Sequence, residues 1–211
     1  MPAESAQQAL SILRDTSHFS WYVIPLLLVV IYIYTFEIDR GNWSRVLAGL
    51  AFWGMDWFNE IWNSLVFHFS QFAPAWGTPG DSAFVIFIGL NIEIAFMFAI
   101  TGIMATLALP ADPKTRILGV NNRLFFACLF SFLSVCVEFV LNDIGALTWE
   151  WPWWNRGAPW LIFLLGYLPF YLMCYWVYDM RSRRAQIVTV STIYGVNALA
   201  YLVFGVALDW I

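Results

Sequence analysis

WGMDWFNEIWNSLVFH, residues 53–68, lies inside a long apolar segment, yet it carries Asp56, Asn59, Glu60, Asn63, Ser64 and His68. On a helix, Asp56, Asn59, Glu60 and Asn63 recur three or four residues apart and share one face. Trp53, Trp57 and Trp62 flank that face. An ionisable group at bilayer depth costs several kcal/mol unless it faces protein or water, so the default reading of this stretch is functional.

The rest of the chain puts the stretch in a membrane. Of 211 residues, 61% are hydrophobic and 11% charged, where a water-soluble domain carries about a quarter charged residues. The mean hydropathy is +0.70. The net charge of −4 is spread over loops and implies no nucleic-acid partner. With 13 Trp, the aromatic residues exceed what an interfacial belt needs, so some line the interior. Cys128, Cys136 and Cys174 fall in apolar runs without metal-site spacing and read as free thiols.

Six apolar stretches are each near the roughly 20 residues that cross the hydrocarbon. They run about 19–36, 44–69, 83–109, 121–143, 158–178 and 186–208. The expected fold is all-α: one polytopic bundle of six transmembrane helices over residues 19–211, preceded by a polar to amphipathic segment, 1–18. Arg40, Arg45, Lys114, Arg116, Arg123, Arg181, Arg183 and Arg184 fall in or beside the first, third and fifth loops; Arg14 and Arg156 lie on the other side. The positive-inside rule then puts both termini on the non-cytoplasmic side.

This orientation gives depth. Glu60 lies about 10 residues, roughly 15 Å, from the outer end of its helix. Asn91 and Glu93 on the third helix, Glu138 and Asn142 on the fourth and Asn197 on the sixth also fall in the outer half, with Pro169 of the fifth at matching depth. One buried cavity explains the match economically. Two outer loops stand over it. Thr148–Trp160 has five Trp and two Pro, and reads as a membrane anchor or as an aromatic lid; residues 71–82 could close over the same opening.

Asp56 and Glu60 are one turn apart, and two carboxylates in low dielectric cannot both ionise cheaply. One of them is therefore the expected proton donor, with Glu93 and Glu138 as base or cation stabilisers. Trp57, Trp62, Asn63, Asn91, Asn142, Tyr167 and Asn197 are the candidate substrate contacts, with aromatic faces suited to cationic charge. The competing readings are interhelical hydrogen-bonding glue, a solute- or proton-coupled carrier and a non-catalytic subunit. His68 reads as an interfacial hydrogen-bonder. With His18 it makes only two histidines, and the Glu-x-x-His pairs of carboxylate-bridged diiron bundles are missing, so neither metal nor cofactor is expected.

In size, in Glu60 on the second helix and Glu93 on the third, in Glu138–Asn142–Asp143 on the fourth and in the aromatic fifth helix ending at Asp179, the chain resembles a group of small membrane enzymes. These are the isomerases similar to emopamil-binding protein and the membrane terpene cyclases of meroterpenoid pathways. The isomerases pair a His with a Glu one turn later on the second helix; Asp56 stands in place of that His. The resemblance implies proton-initiated carbocation chemistry on an isoprenoid-like lipid inside an aromatic cavity.

Overall fold

The computed structural model describes the backbone of residues 1–211 and every side chain except that of His18, so the reading of that histidine lies outside the described residues. The chain is almost entirely helical. It contains α1 (Glu4–Ser11), α2 (Val23–Asp39), α3 (Trp43–Ser70), α4 (Ile92–Leu107) and α5 (Asn122–Asp143). A continuous rod follows, Pro159–Tyr178, made of α6 (Pro159–Leu161), a π-helical turn (Ile162–Tyr167) and α7 (Leu168–Tyr178). The last helix, α8 (Arg183–Tyr201), continues through a second π-helical turn, Leu202–Ala207.

Three helices are long and apolar enough to cross a membrane: Asn122–Asp143, Pro159–Tyr178 and Arg183–Ala207. The helix Ile92–Leu107 is equally apolar but shorter. The expected third span, 83–109, is therefore corrected at its start. Its first part forms a hairpin of β1 (Val85–Phe87) and β2 (Leu90–Asn91), and the helix begins at Ile92. Three local causes act together. The Asn91 side chain accepts from Ile94 N, capping α4. Gly89 in the hairpin turn fits where a Cβ would lie 2.2 Å from Asn63 Nδ2. The N-terminal segment occupies β1, with Arg14 N donating to Val85 O at 2.9 Å. That segment is docked through α1, whose Ala6 and Ala9 are buried, and through Ala3 N on Phe72 O at 2.8 Å.

At 28 residues α3 is the longest helix, about 42 Å. It forms the axis against which α4, α7 and α8 pack. Small residues allow the close approach: a Cβ on Gly102 of α4 would meet Phe52 Cβ at 2.6 Å and Gly49 Cα at 2.9 Å, both on α3. Phe52, Phe98, Phe170 and Tyr171 fill the centre, with the Phe52 and Tyr171 rings 4.8 Å apart. Helices α4 and α5 share no extensive contact with each other; α7 lies between them on the interior side. Apolar side chains such as Leu28 and Ile31 on α2 and Val188 and Leu199 on α8 face outward. Eight basic residues cluster at one end of the bundle, and the tryptophan-rich loops lie at the other.

The two tryptophan-end loops are laced together. Gly77 N donates to Thr148 O at 3.0 Å and Thr148 N returns to Gly77 O at 2.9 Å. Trp151 Nε1 reaches Ala73 O at 3.0 Å. Loop 71–82 is pinned to α3 by Asn63, whose Oδ1 accepts from Ala75 N and Trp76 N and whose Nδ2 donates to Trp76 O.

Candidate functional site

Beneath the laced loops, Asp56 and Glu60 of α3 and Glu138 of α5 line one cavity. All three are buried, at 2%, 3% and 5% exposure. Trp76, Phe98, Trp154, Tyr167 and Phe170 contribute aromatic walls, and no Lys, Arg or His stands among the described lining residues. The cavity holds about 40 Å³ of space open to the centre of a water molecule, enough for a few waters.

The hydrogen bonds leave this site incomplete. Trp76 Nε1 donates to Glu60 Oε1 at 2.8 Å. Glu60 Oε2, Asp56 Oδ2 and Glu138 Oε2 have no partner, and neither has Trp154 Nε1. Buried polar atoms are otherwise almost always paired, so three carboxylate oxygens without a protein partner on one cavity single this site out. Trp154 is 1% exposed and stacks on Trp76 with ring centroids 5.2 Å apart, which makes the aromatic-loop tryptophan a ceiling of the cavity.

The floor comes from a helix irregularity that the sequence encodes. Pro169 has no N–H to give to the carbonyl four residues back, Leu165 O. The rod instead widens into the π-helical turn Ile162–Tyr167, and Asn59 Nδ2 of α3 donates to Leu165 O at 3.3 Å. The turn presents Gly166 and Tyr167 to the cavity. Single π turns inside α-helices are frequent at functional sites.

Of the residues singled out from sequence, the structure therefore brings together Asp56, Glu60, Glu138 and Tyr167. Glu93 lies apart, because α4 begins one residue before it. Its carboxylate accepts from Ser82 Oγ and Ala83 N, each at 2.8 Å, and from the Tyr22 hydroxyl. Asn91 is the helix cap already described. Asn142 Nδ2 donates to Leu147 O, and Asn63 holds loop 71–82. Trp62 is not among the cavity-lining residues; its ring packs at a tilt against Trp76 and Trp154. Trp57 and Asn197 face a different cavity, between α3 and α8. The His68 ring stacks on Trp210, with centroids 4.6 Å apart. Sequence reasoning gave no cavity role to Trp76 or Phe98, and it placed Asn59 on the polar face of α3 without naming it a substrate contact. The usable signal for Asn59 was its spacing of three from Asp56 and four from Asn63, which puts it on their face. Among the described residues, no group of three or more His, Cys, Asp and Glu has a metal-holding arrangement.

A family model described as "Uncharacterized membrane protein family" matches residues 3–206. An uncharacterized protein of Archaeoglobus fulgidus is 55% identical over 211 residues, all of both chains. A second one from the same organism is 51% identical over 53 residues, which is 25% of this chain and 95% of the relative. No solved structure matches. These matches overturn the resemblance to emopamil-binding-type isomerases and meroterpenoid cyclases. That likeness rested on the pattern of acidic residues over the helices, and one of its two key carboxylates, Glu93, is not in the cavity. The chain belongs to the uncharacterized membrane protein family and is a multi-pass integral membrane protein.

Proposed function

We propose that the protein is an intramembrane enzyme that works by carboxylate acid–base chemistry on a lipid-like substrate, with Asp56, Glu60 and Glu138 as the reacting groups. The observation that carries this reading is the trio of buried carboxylates, each with one unpartnered oxygen, on a cavity lined by aromatic rings and by no cation. Burying such groups without partners costs several kcal/mol, a cost that packing alone gives no reason to retain.

In this reading α2, α3, α4, α5, the rod Pro159–Tyr178 and α8 all span the bilayer. The arginine-rich end faces the cytoplasm and both termini lie outside. Eight of the ten basic residues at one end support that orientation. Substrate arrives sideways. An apolar cleft of about 320 Å³ runs between α4 and α5, lined by Ile100, Thr101, Met104, Phe130 and Tyr171, and it shares Met97 with the carboxylate cavity. Met97 is 42% exposed on the lipid-facing side and stands as the gate. The chain of the substrate lies in the cleft, and only its reactive end enters the small cavity. Glu60 or Asp56 delivers a proton there, to an alkene carbon for example. The aromatic faces stabilise the resulting cation, and Glu138 takes a proton from a neighbouring carbon.

The test is isotope uptake. Protein in lipid nanodiscs is incubated in D2O with a total membrane-lipid extract, and lipids are followed by mass spectrometry. Proton addition followed by loss of a different proton leaves deuterium on carbon. Time-dependent labelling that disappears with Glu60→Gln supports the enzyme; equal labelling in the variant removes Glu60 from the chemistry.

A second reading has its own observation. A space of about 40 Å³ suits protons and water better than a lipid headgroup, as in a proton-coupled carrier. Proton flux into dye-loaded proteoliposomes that is lost with Glu60→Gln, without deuterium uptake by any lipid, selects the carrier.

A further inference from the structure

One five-residue pattern, two apolar residues, Gly, an apolar residue and Asn, occurs twice in the chain: Phe87-Ile88-Gly89-Leu90-Asn91 and Ile117-Leu118-Gly119-Val120-Asn121. Each copy turns a hairpin with a two-residue loop, Phe87 pairing with Leu90 and Ile117 with Val120. The second hairpin consists of β3 (Arg116–Ile117) and β4 (Val120–Asn121). Each Asn then caps the helix that follows, Asn91 on α4 and Asn121 on α5. The first residue of each helix also bonds back across its hairpin, Ile92 N to Phe84 O at 2.9 Å and Asn122 N to Thr115 O at 3.2 Å.

The two copies differ in what covers them. The first is seated in the protein: Ile88 is 3% and Leu90 0% exposed, and Gly89 leaves no room for a Cβ. In the second, Leu118 is 89% and Val120 40% exposed, and a Cβ on Gly119 would meet nothing within 4 Å. The uncovered hairpin is nevertheless held firmly. Asn122, fully buried, donates through Nδ2 to Thr115 O at 2.6 Å and to Pro113 O at 3.2 Å. Leu118 and Gly119 are both left-handed, with φ of +51° and +80°. The first position of such a turn ordinarily takes Asn, Asp or Gly. A leucine there is strained, and no burial within this chain offsets the strain. The stems differ too. Lys114 and Arg116 stand at the positions matching Phe84 and Ile86, and both are exposed. Neither forms an ion pair among the described residues. Their end of the bundle carries eight basic residues against four acidic ones, Glu37, Asp39, Asp112 and Asp179, which favours an anionic partner. The apolar side of the hairpin runs on into a helix long enough to cross the membrane: Val120 joins Leu124, Phe125, Cys128 and Phe132 of α5 around a shallow cleft of about 400 Å³. An apolar tip on a cationic stem, continuous with a membrane-crossing face, is the arrangement that holds a headgroup and a hydrocarbon chain together.

We propose that the second hairpin is a binding site for an anionic phospholipid. Lys114 and Arg116 hold the headgroup phosphate, Leu118 enters the membrane interface, and an acyl chain lies in the cleft from Val120 to Phe132. The site requires only that α5 crosses the membrane. It uses none of the three carboxylates and stands apart from the acid–base reading.

The experiment uses the full chain in phosphatidylcholine nanodiscs, with a trace of phosphatidylglycerol carrying a diazirine on one acyl chain as probe, and peptide mapping after photolysis. Displacement is measured with unlabelled phosphatidylglycerol and with phosphatidylethanolamine, which has a phosphate but no net charge. The expected result is labelling of peptides that carry residues 118–132, displaced by phosphatidylglycerol at about a tenfold lower mole fraction than by phosphatidylethanolamine. Lys114→Gln combined with Arg116→Gln removes that difference. Leu118→Asn gives the turn a residue it ordinarily takes, so the detergent-unfolding midpoint holds or rises while labelling falls about fivefold. Equal displacement by the two lipids, labelling confined to other helices, or unchanged labelling in Leu118→Asn overturns the assignment. Two copies per nanodisc, reduced to one by Leu118→Asn, gives the hairpin to a second copy of the chain and overturns it as well. Because the lipid comparison uses the unaltered protein, the result does not depend on whether a variant folds. Glu60→Gln leaves the labelling unchanged, so failure here and failure of the acid–base reading are separate results.

Discussion

The two ends of α3 treat buried charge in opposite ways. At the arginine end, Glu37 is 4% exposed and paired with a cation. Its Oε2 accepts from Arg45 Nη1 and from Asn42 Nδ2, each at 2.7 Å, and Arg45 Nε donates to Thr106 Oγ1 at 3.0 Å. Nearby, Arg123 grips both oxygens of Asp179 at 2.8 Å and tethers α5 to the end of α7. Toward the tryptophan end, Asp56, Glu60 and Glu138 are equally buried and meet no cation. The first arrangement is one that folding alone explains, because each charge offsets another. The second leaves the desolvation of three carboxyl groups uncompensated, and that is the physical ground for looking for chemistry there.

Substitutions can break this contrast. The largest effect is expected for Arg45→Ala, which strands Glu37 without its partner; a loss of about 3 kcal/mol should appear as a clear fall in the detergent-unfolding midpoint. Next is Gly89→Ala. The new Cβ would lie 2.7 Å from Trp76 Nε1 and 2.8 Å from Glu60 Oε2, and the overpacking should cost about 2 kcal/mol. A change in the fluorescence of Trp76 and its stacked neighbour Trp154 should accompany it. Arg123→Lys replaces a forked pair by a single contact at a site where Asp179 is 31% exposed; about 1 kcal/mol is the expected loss, again read from the unfolding midpoint. Smallest of all is Glu60→Gln, which keeps the acceptor for Trp76 and removes a group that cannot be charged cheaply. Its stability should change by less than about 0.5 kcal/mol, or rise. Should Glu60→Gln destabilise as strongly as Arg45→Ala, the carboxylate trio would be structural after all and the contrast would collapse.

Several features of the molecule were legible in the chain. The stretch 53–68 gave α3 and the face carrying Asp56 and Glu60, since helical periodicity is local. The helix ends were near at hand too: Asn122–Asp143 and Pro159–Tyr178 differ by about a residue from the apolar runs 121–143 and 158–178. The hairpin 85–91 was not legible. Its residues are as apolar as a membrane helix, and what keeps them extended is the docked N-terminal segment and the tight seat of Gly89 against Asn63. The error over Glu93 follows from it, because moving the start of α4 to Ile92 puts Glu93 in the first turn, beside Ser82, Ala83 and Tyr22.

By itself, then, the sequence determined a multi-pass membrane protein with acidic residues inside apolar helical stretches, because hydropathy and helical period are written in neighbouring residues. Which of those acids meet was decided only by the tertiary structure. Convergence depends on how α3, α5 and the rod Pro159–Tyr178 are rotated about their axes. Those rotations are set by distant contacts: the glycine seam of Gly49 and Gly102, the π turn above Pro169 and the laced loops that bring Trp76 and Trp154 over Glu60. The same rotations sent Trp57 and Asn197, which the sequence grouped with Glu60, to a separate cavity on the other side of α3.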